Sequence, residues 1–217
     1  MNEFDKRITH KTDKFFKEFA TKKYAKGEIL MLGGDNPPGI FYLVRGLVAQ
    51  YHLTATGQKV VLNIFKPHAF FPASLALNGS IPRYFFEAAE DITVRIAPPD
   101  KLLAYLTTNE DVLLDLTSRL YKGMDGLLDR IVELMSGSAK SRLIIELLIE
   151  VRRFSHMDKN GVSEISISTV ELALRTGLSR ETGSRELKKI ESEKLILKQN
   201  KTITILNVNL LEKALEH

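Results

Sequence analysis

"STVELALRTGLSRETGSRELKKIESEKLI", Ser168 to Ile196, decides how this chain is read. Helical periodicity runs through it and is broken once, at Thr176-Gly177. Ser168 or Thr169 can cap a first helix, with Glu171 in the first turn, where the helix dipole favours a carboxylate. Leu172 and Ala173 face inward, and Gly177 is free to take a positive φ at the turn. Ser179 then caps a second helix with Leu187 and Ile190 on its buried side. Two helices joined by a glycine-containing turn of this length form a helix-turn-helix unit, whose second helix presents its N-terminal residues to the DNA major groove.

The residue types on that second helix suit the task. Arg180 and Arg185 carry planar forks that match the two acceptors on the edge of guanine, each such pair giving about 1–3 kcal/mol of discrimination. Glu181 can accept from the cytosine amino group, and one turn on from it Arg185 is within reach of an ion pair that would hold the guanidinium in place. Thr169, Ser179, Thr182, Lys188 and Lys201 suit the phosphates, as does Ser184, with Lys189 as a further distant counter-charge. An isolated R-E-x-x-x-R pattern is usually just a solvated helix face. Its place directly after a capped turn favours double-stranded DNA as the partner.

Upstream, residues 22 to 97 change period. Short β-branched and aromatic runs, "GIFYLVRGLVAQYHL", "KVVLNIF", "RYFFEAA" and "ITVRIAP", are separated by turn clusters such as Gly33-Gly34-Asp35-Asn36-Pro37-Pro38 and Thr56-Gly57. Many short antiparallel strands in a sandwich or barrel follow. A short amphipathic segment around Phe15, Phe16 and Phe19 precedes them. Pro98-Pro99-Asp100 starts a helix, and a longer one runs from about Asn109 to Met135 with Leu113, Leu116, Leu120, Leu127, Ile131 and Leu134 along a seam. At about 27 residues and 1.5 Å per residue this helix reaches about 40 Å, more than a small sandwich needs for cover, so a partner helix from a second subunit is expected. Gly123 and Gly126 each cost it roughly 1 kcal/mol and either permit close helix approach or mark a weak turn.

"SGSAKS", Ser136 to Ser141, reads as a boundary between helices. Beyond it stand a helix at Arg142–Phe154, a polar loop "SHMDKNGVSE", a strand at Ile165-Ser166-Ile167, the helix-turn-helix, a hairpin "LILKQNKTITIL" and a terminal helix. The expected fold class is α+β: an N-terminal β jelly-roll over 1–108, a dimerisation helix over 109–137 and a C-terminal winged helix-turn-helix over 138–217. Leu215-Glu216-His217 has the look of a tag remnant and is given no function.

"TVELALRTGLSRETGSRELKKIESEKLI" resembles the helix-turn-helix of the Crp/Fnr family of bacterial transcription regulators. "GDNPPGIFYLVRGLV" is similar to the strand and turn pattern of that family's cyclic-nucleotide-binding-like domain. The likeness covers nearly the whole chain in the family's order. It implies a homodimer on a palindromic operator with half-sites related to TGTGA or TTGA, base reading by Arg180, Glu181 and Arg185 with Ser184 among them, and RNA polymerase as a further partner. Gly183 departs from the apolar β-branched residue the family usually carries there, which should loosen the helix by under about 1 kcal/mol.

The resemblance also bears on the effector. Family members that bind cyclic nucleotides hold the phosphate with an Arg-Ser/Thr pair and the ribose with a Gly-Glu pair. Here Arg83 matches the arginine, Tyr84 replaces the small hydroxyl, and Pro72-Ala73 stand for Gly-Glu. Neither cyclic AMP nor cyclic GMP is therefore expected to bind. The chain has no cysteine, which excludes disulfides, cysteine nucleophiles and the cysteine-ligated iron–sulfur cluster of the Fnr-like branch. His10, His52 and His68 lack ligand spacing, so haem is not expected, and no cofactor is assigned. Phe70, Phe71, Arg83 and Tyr84 are the candidate lining of a pocket for an apolar or aromatic small-molecule effector, alongside Phe65, Phe85 and Phe86. An effector-free protein is the other reading.

Remaining classes fare worse. No apolar run approaches the roughly 18 residues of a membrane span, and the polar start "MNEFDKRITHKTDK" lacks a signal-peptide core, so a cytoplasmic protein is expected. A net charge of +4 allows a polyanionic partner without demanding one. A metal-dependent, cupin-like protein would need clustered ligands, and His52, His68 and Glu87 are scattered. No nucleophile motif, P-loop or dinucleotide fingerprint points to an enzyme.

Overall fold

The computed structural model describes residues 3–215 except 56, 58, 155–157, 159 and 160, and only the backbone of residues 3–5 and 136. Half of the "SHMDKNGVSE" loop, Thr56 of the Thr56-Gly57 turn and the last two residues of the tag-like end thus lie outside the described residues. Two compact units divide the chain, Met1–Leu120 and Tyr121–His217. Both combine helices with antiparallel sheet, as the α+β reading requires.

Among the described residues of the first unit, α1 (Glu3–Phe16) leads into eight strands, β1 (Thr21–Tyr24), β2 (Ile29–Met31), β3 (Ile40–Arg45), β4 (Val48–Leu53), β5 (Lys59–Phe65), β6 (Phe70–Phe71), β7 (Phe85–Ala88) and β8 (Ile92–Ala97). They form two four-stranded sheets ordered β1-β8-β3-β6 and β2-β7-β4-β5. The side chains between them, Phe41, Leu43, Val48, Phe71, Phe86 and Val94 among others, make one core. Ile40 and Tyr42, on the opposite face of β3, pack instead with Ile8, Phe16, Leu102, Leu106, Val112 and Leu116. Burial on both faces is why "IFYLV" is a continuous apolar run rather than an alternating one. Phe16 stacks on Tyr42 at 4.4 Å between centroids, and the Tyr42 hydroxyl donates to Asp13, so α1 is tied to β3 by both ends of one side chain.

Helix α2 (Ala73–Asn78) follows Pro72 and ends at Gly79, whose φ of 71° terminates it. Six residues without helical periodicity carry no sequence signal for it. Helix α3 (Pro99–Thr108) starts at the proline pair, and α4 (Glu110–Ser136) is the long helix. Of its expected seam, Leu116 is buried, while Leu120, Leu127, Ile131 and Leu134 are each about half exposed. Gly123 and Gly126 do not break α4, and a Cβ on either would meet nothing within 4 Å.

The second unit contains the rest of α4, α5 (Ala139–Phe154), β9 (Ser163–Ser166), α6 (Thr169–Arg175), α7 (Arg180–Ser192), β10 (Ile196–Gln199), β11 (Thr202–Ile205) and α8 (Val208–Lys213). At the α4–α5 junction the guanidinium of Arg142 donates to the carbonyls of Glu133 and Leu134 at 3.3 Å; the Glu133 carbonyl also accepts from the Gly137 amide at 2.9 Å, while that of Leu134 is one of the acceptors a helix end leaves open. The sheet order is β10-β11-β9, all antiparallel. Leu143, Ile144, Leu147, Leu148, Ile165, Leu172, Leu187, Ile190 and Ile203 form its core, so the three-stranded wing and the helix pair share one apolar centre.

Candidate nucleic-acid interface

The turn between α6 and α7 is built by local hydrogen bonds. Ser168 Oγ accepts from the Glu171 amide at 3.1 Å and caps α6. Thr176 is buried, and its hydroxyl donates to Leu172 O at 2.9 Å. Gly177 takes φ +66°, after which the Leu178 amide returns to Ala173 O at 2.9 Å. Ser179 Oγ accepts from the Thr182 amide at 3.1 Å and caps α7. Each cap satisfies an amide that the helix start would otherwise leave open, and such a cap contributes about 1 kcal/mol.

On α7 the two faces divide cleanly. Gly183, Glu186, Leu187 and Ile190 are buried. Arg180, Glu181, Arg185 and Lys188 are exposed and Ser184 is half-buried, at spacings that keep all five on the solvent side. Thr182 is half-buried, with its hydroxyl bonded to that of Ser179, and Lys201 stands exposed beside Asn200, the positive-φ residue of the β10–β11 turn.

Three expectations need correction. The Glu181–Arg185 ion pair is not formed: Arg185 Nε donates instead to Glu186 Oε1 at 3.3 Å, and Lys189 Nζ reaches the same oxygen at 2.9 Å. Glu181 turns to the helix start, where its own backbone amide, the Ser179 hydroxyl and the Arg180 charge lower its pKa. Thr169 does not present its hydroxyl to solvent, for Oγ1 is buried and has no hydrogen-bond partner among the described residues. Gly183 does not loosen the packing. A Cβ there would sit 2.8 Å from Ala173 Cβ, so the glycine is what lets α6 and α7 approach.

Sequence reasoning does not single out Arg175, at the end of α6. Its side chain is 6% exposed and lies against Glu146, Glu150 and Glu171. Glu146 in turn takes both Nε and Nη2 of Arg130 on α4, at 2.8 and 2.9 Å. A signal is there to read: "LIIELLIEVRRF" places two glutamates four residues apart inside an apolar run, which calls for a buried cation from elsewhere.

The four residues of the candidate effector pocket do not meet. Phe70 and Phe71 are successive residues of β6 and so point to opposite faces, Phe70 into the core under the helices and Phe71 between the sheets. Phe71 stacks there with Phe86 at 5.4 Å and Phe65 at 4.5 Å. Arg83 and Tyr84 are exposed, and Phe85 stacks on Tyr51. His52 faces the Tyr84 ring, His68 bonds Tyr42, and Glu87 takes Lys59, so the would-be metal ligands have separate partners.

Comparisons with known proteins agree with this geometry. Residues 21–109 match the model of the cyclic nucleotide-binding domain and residues 141–214 that of the Crp-like helix-turn-helix domain. The cAMP-activated global transcriptional regulator CRP of Pasteurella multocida is 24% identical over 184 residues, 84% of this chain and 88% of that protein. The HTH-type transcriptional regulator ArcR of Staphylococcus aureus is 27% identical over 187 residues, 85% of this chain and 79% of that one. A CooA mutant from Carboxydothermus hydrogenoformans superposes with a TM-score of 0.77 at 21% identity, over 92% of this chain and 88% of that one. With both domains matched in order and relatives aligned along most of its length, the chain belongs to the Crp/Fnr family of transcriptional regulators.

Proposed function

We propose that the protein is a homodimeric regulator that reads a palindromic operator through Arg180, Glu181, Ser184 and Arg185, with Ser179, Thr182, Lys188 and Lys201 on the phosphates. The supporting observation is the N-terminal face of α7. Two guanidinium groups stand exposed on a helix whose start and packing are held by a cap, a buried glycine and two apolar anchors. A face that is rigid beneath and unshielded above suits base edges, because little ordering remains to be done on binding. Two such helices would meet half-sites about 34 Å apart.

The dimer reading rests on α4. Met124, Leu127, Leu128, Ile131, Leu134 and Met135 are about half exposed or more, a stripe that a second copy's helix would bury. We assign RNA polymerase as a further partner, the cytoplasm as the compartment and no catalytic activity. Cyclic AMP and cyclic GMP are not effectors in this reading. Ala73 offers no carboxylate for a ribose, Tyr84 stands where a small hydroxyl would seat a phosphate, and Phe65, Phe71 and Phe86 fill the space between the sheets with their own rings.

Selection from a pool of randomised duplexes tests the core of the reading. A palindromic consensus bound with a steep salt dependence is expected. Binding without any sequence preference would overturn it.

A further inference from the structure

Arg175 closes α6, and the side chains around it form a cluster with three guanidinium groups and three carboxylates. Its Nη1 donates to Glu150 Oε1 at 2.5 Å and lies 3.7 Å from Glu146 Oε1, while its Nη2 donates to Glu171 Oε1 at 2.5 Å. Glu146, 1% exposed, is also gripped by the fork of Arg130, and Arg153 faces Glu150 from the same helix. Burial works against the charge on Arg175, yet the carboxylates outweigh it and raise its pKa above the ordinary arginine value.

A buried ionic cluster of this kind is weak evidence for stability, since packed apolar side chains of similar volume often serve as well. What it supplies is geometry. A guanidinium satisfies several carboxylates only with each roughly in its plane, so α6 cannot slide or roll on α5 without breaking a charge-assisted bond in a dry site. Two residues before Arg175, Ala173 meets Gly183 of α7 in the close approach described above. Helix α6 is therefore fixed at one contact by charge and at the next by shape, and α7 inherits its position from α6.

We propose that Arg175 is a positioning residue for DNA reading: clamped by Glu146, Glu150 and Glu171, it sets α6, and through the Ala173–Gly183 contact it sets the angle at which Arg180 and Arg185 meet the bases. The proposal rests on α7 being the recognition helix.

The test uses the full chain and two duplexes, one selected by the unaltered protein from a randomised pool and one of random sequence. In Arg175→Met/Glu150→Gln the Arg130–Glu146 pair survives and Glu171 returns to water, so one positive and one negative charge leave the cluster together; Arg153, which loses the opposing charge of Glu150, is half-buried and keeps access to solvent. Expected are a retained cooperative melt, unchanged affinity for the random duplex and an unchanged salt slope. The ratio of selected to random affinity should fall about ten-fold, comparable to one misplaced base contact. Arg175→Lys keeps the charge but not the fork and should give a smaller fall in the same ratio. A folded double variant with an undiminished ratio overturns the proposal. Should the double variant fail to fold, the lysine variant decides alone: a reduced ratio supports positioning and an unchanged one overturns it. If the unaltered protein itself prefers no duplex, the DNA-reading assignment falls and this proposal with it.

Discussion

Gly183 of α7 and Ala173 of α6 pack so closely that a methyl group on the glycine would lie 2.8 Å from the alanine Cβ. The family's usual β-branched residue cannot be restored there without moving a helix. Gly183→Val should destabilise the protein by about 1–3 kcal/mol through overpacking, despite the gain in helix propensity. Urea denaturation would register it as a lower midpoint at constant slope. An unchanged midpoint would mean that α6 and α7 can separate freely.

Arg180→Ala and Arg185→Ala should each weaken binding to the selected duplex by about 1–3 kcal/mol while leaving most of the salt-sensitive binding to random DNA. Fluorescence anisotropy at two salt concentrations separates the terms. Equal losses on both duplexes would make these arginines phosphate contacts. Lys188→Ala should show that equal loss, with a shallower salt slope.

The half-exposed stripe of α4 predicts that Ile131→Glu, which puts a charge into the expected helix pair, weakens dimerisation by about 2–4 kcal/mol. Sedimentation velocity would show monomer at concentrations where the unaltered chain is dimeric. By contrast Gly123→Ala, with nothing within 4 Å of the added methyl, should raise the melting temperature by the equivalent of about 1 kcal/mol. A dimer broken by that methyl would instead show that the helices meet at Gly123.

Acid titration should expose two carboxyl groups. A hydrogen bond from Lys189, backed by Arg185, lowers the pKa of Glu186, and one from Lys11 lowers that of Asp111. A carboxyl held lower in the folded state than in the unfolded one adds stability that is complete above its unfolded pKa, roughly 4, and is lost as pH falls through the folded value. Glu186→Gln should therefore cost stability at pH 7 and little at pH 3. Denaturation at the two pH values gives the difference directly.

Cyclic AMP at 1 mM should leave the melting temperature where it is. A site with a dissociation constant near 1 µM would add about 4 kcal/mol of apparent stability at that concentration. A clear upward shift would show that the space around Phe65, Phe71 and Phe86 opens for the nucleotide.

Features that depend on near neighbours in the chain are legible in the sequence. The caps at Ser168 and Ser179 act over three residues, the turn at Gly177 needs only its own φ, and the buried side of α7 follows from helical spacing. The strand runs of the first unit are visible for the same reason, whereas α2 is not, being one short helical segment without a period to detect.

By itself the sequence determined the order of the elements, the helix-turn-helix and the identity of the side chains on its solvent face, because capping, turn chemistry and periodicity act within a few residues. The tertiary structure alone decided that Phe70 and Phe71 serve two different cores, that Gly183 is a spacer rather than a defect, and that Arg175 finds Glu150 across 25 residues of chain. Those outcomes turn on volume and charge brought together from distant segments, and excluded volume and Coulomb attraction act on distance in space, which no local pattern of residues encodes.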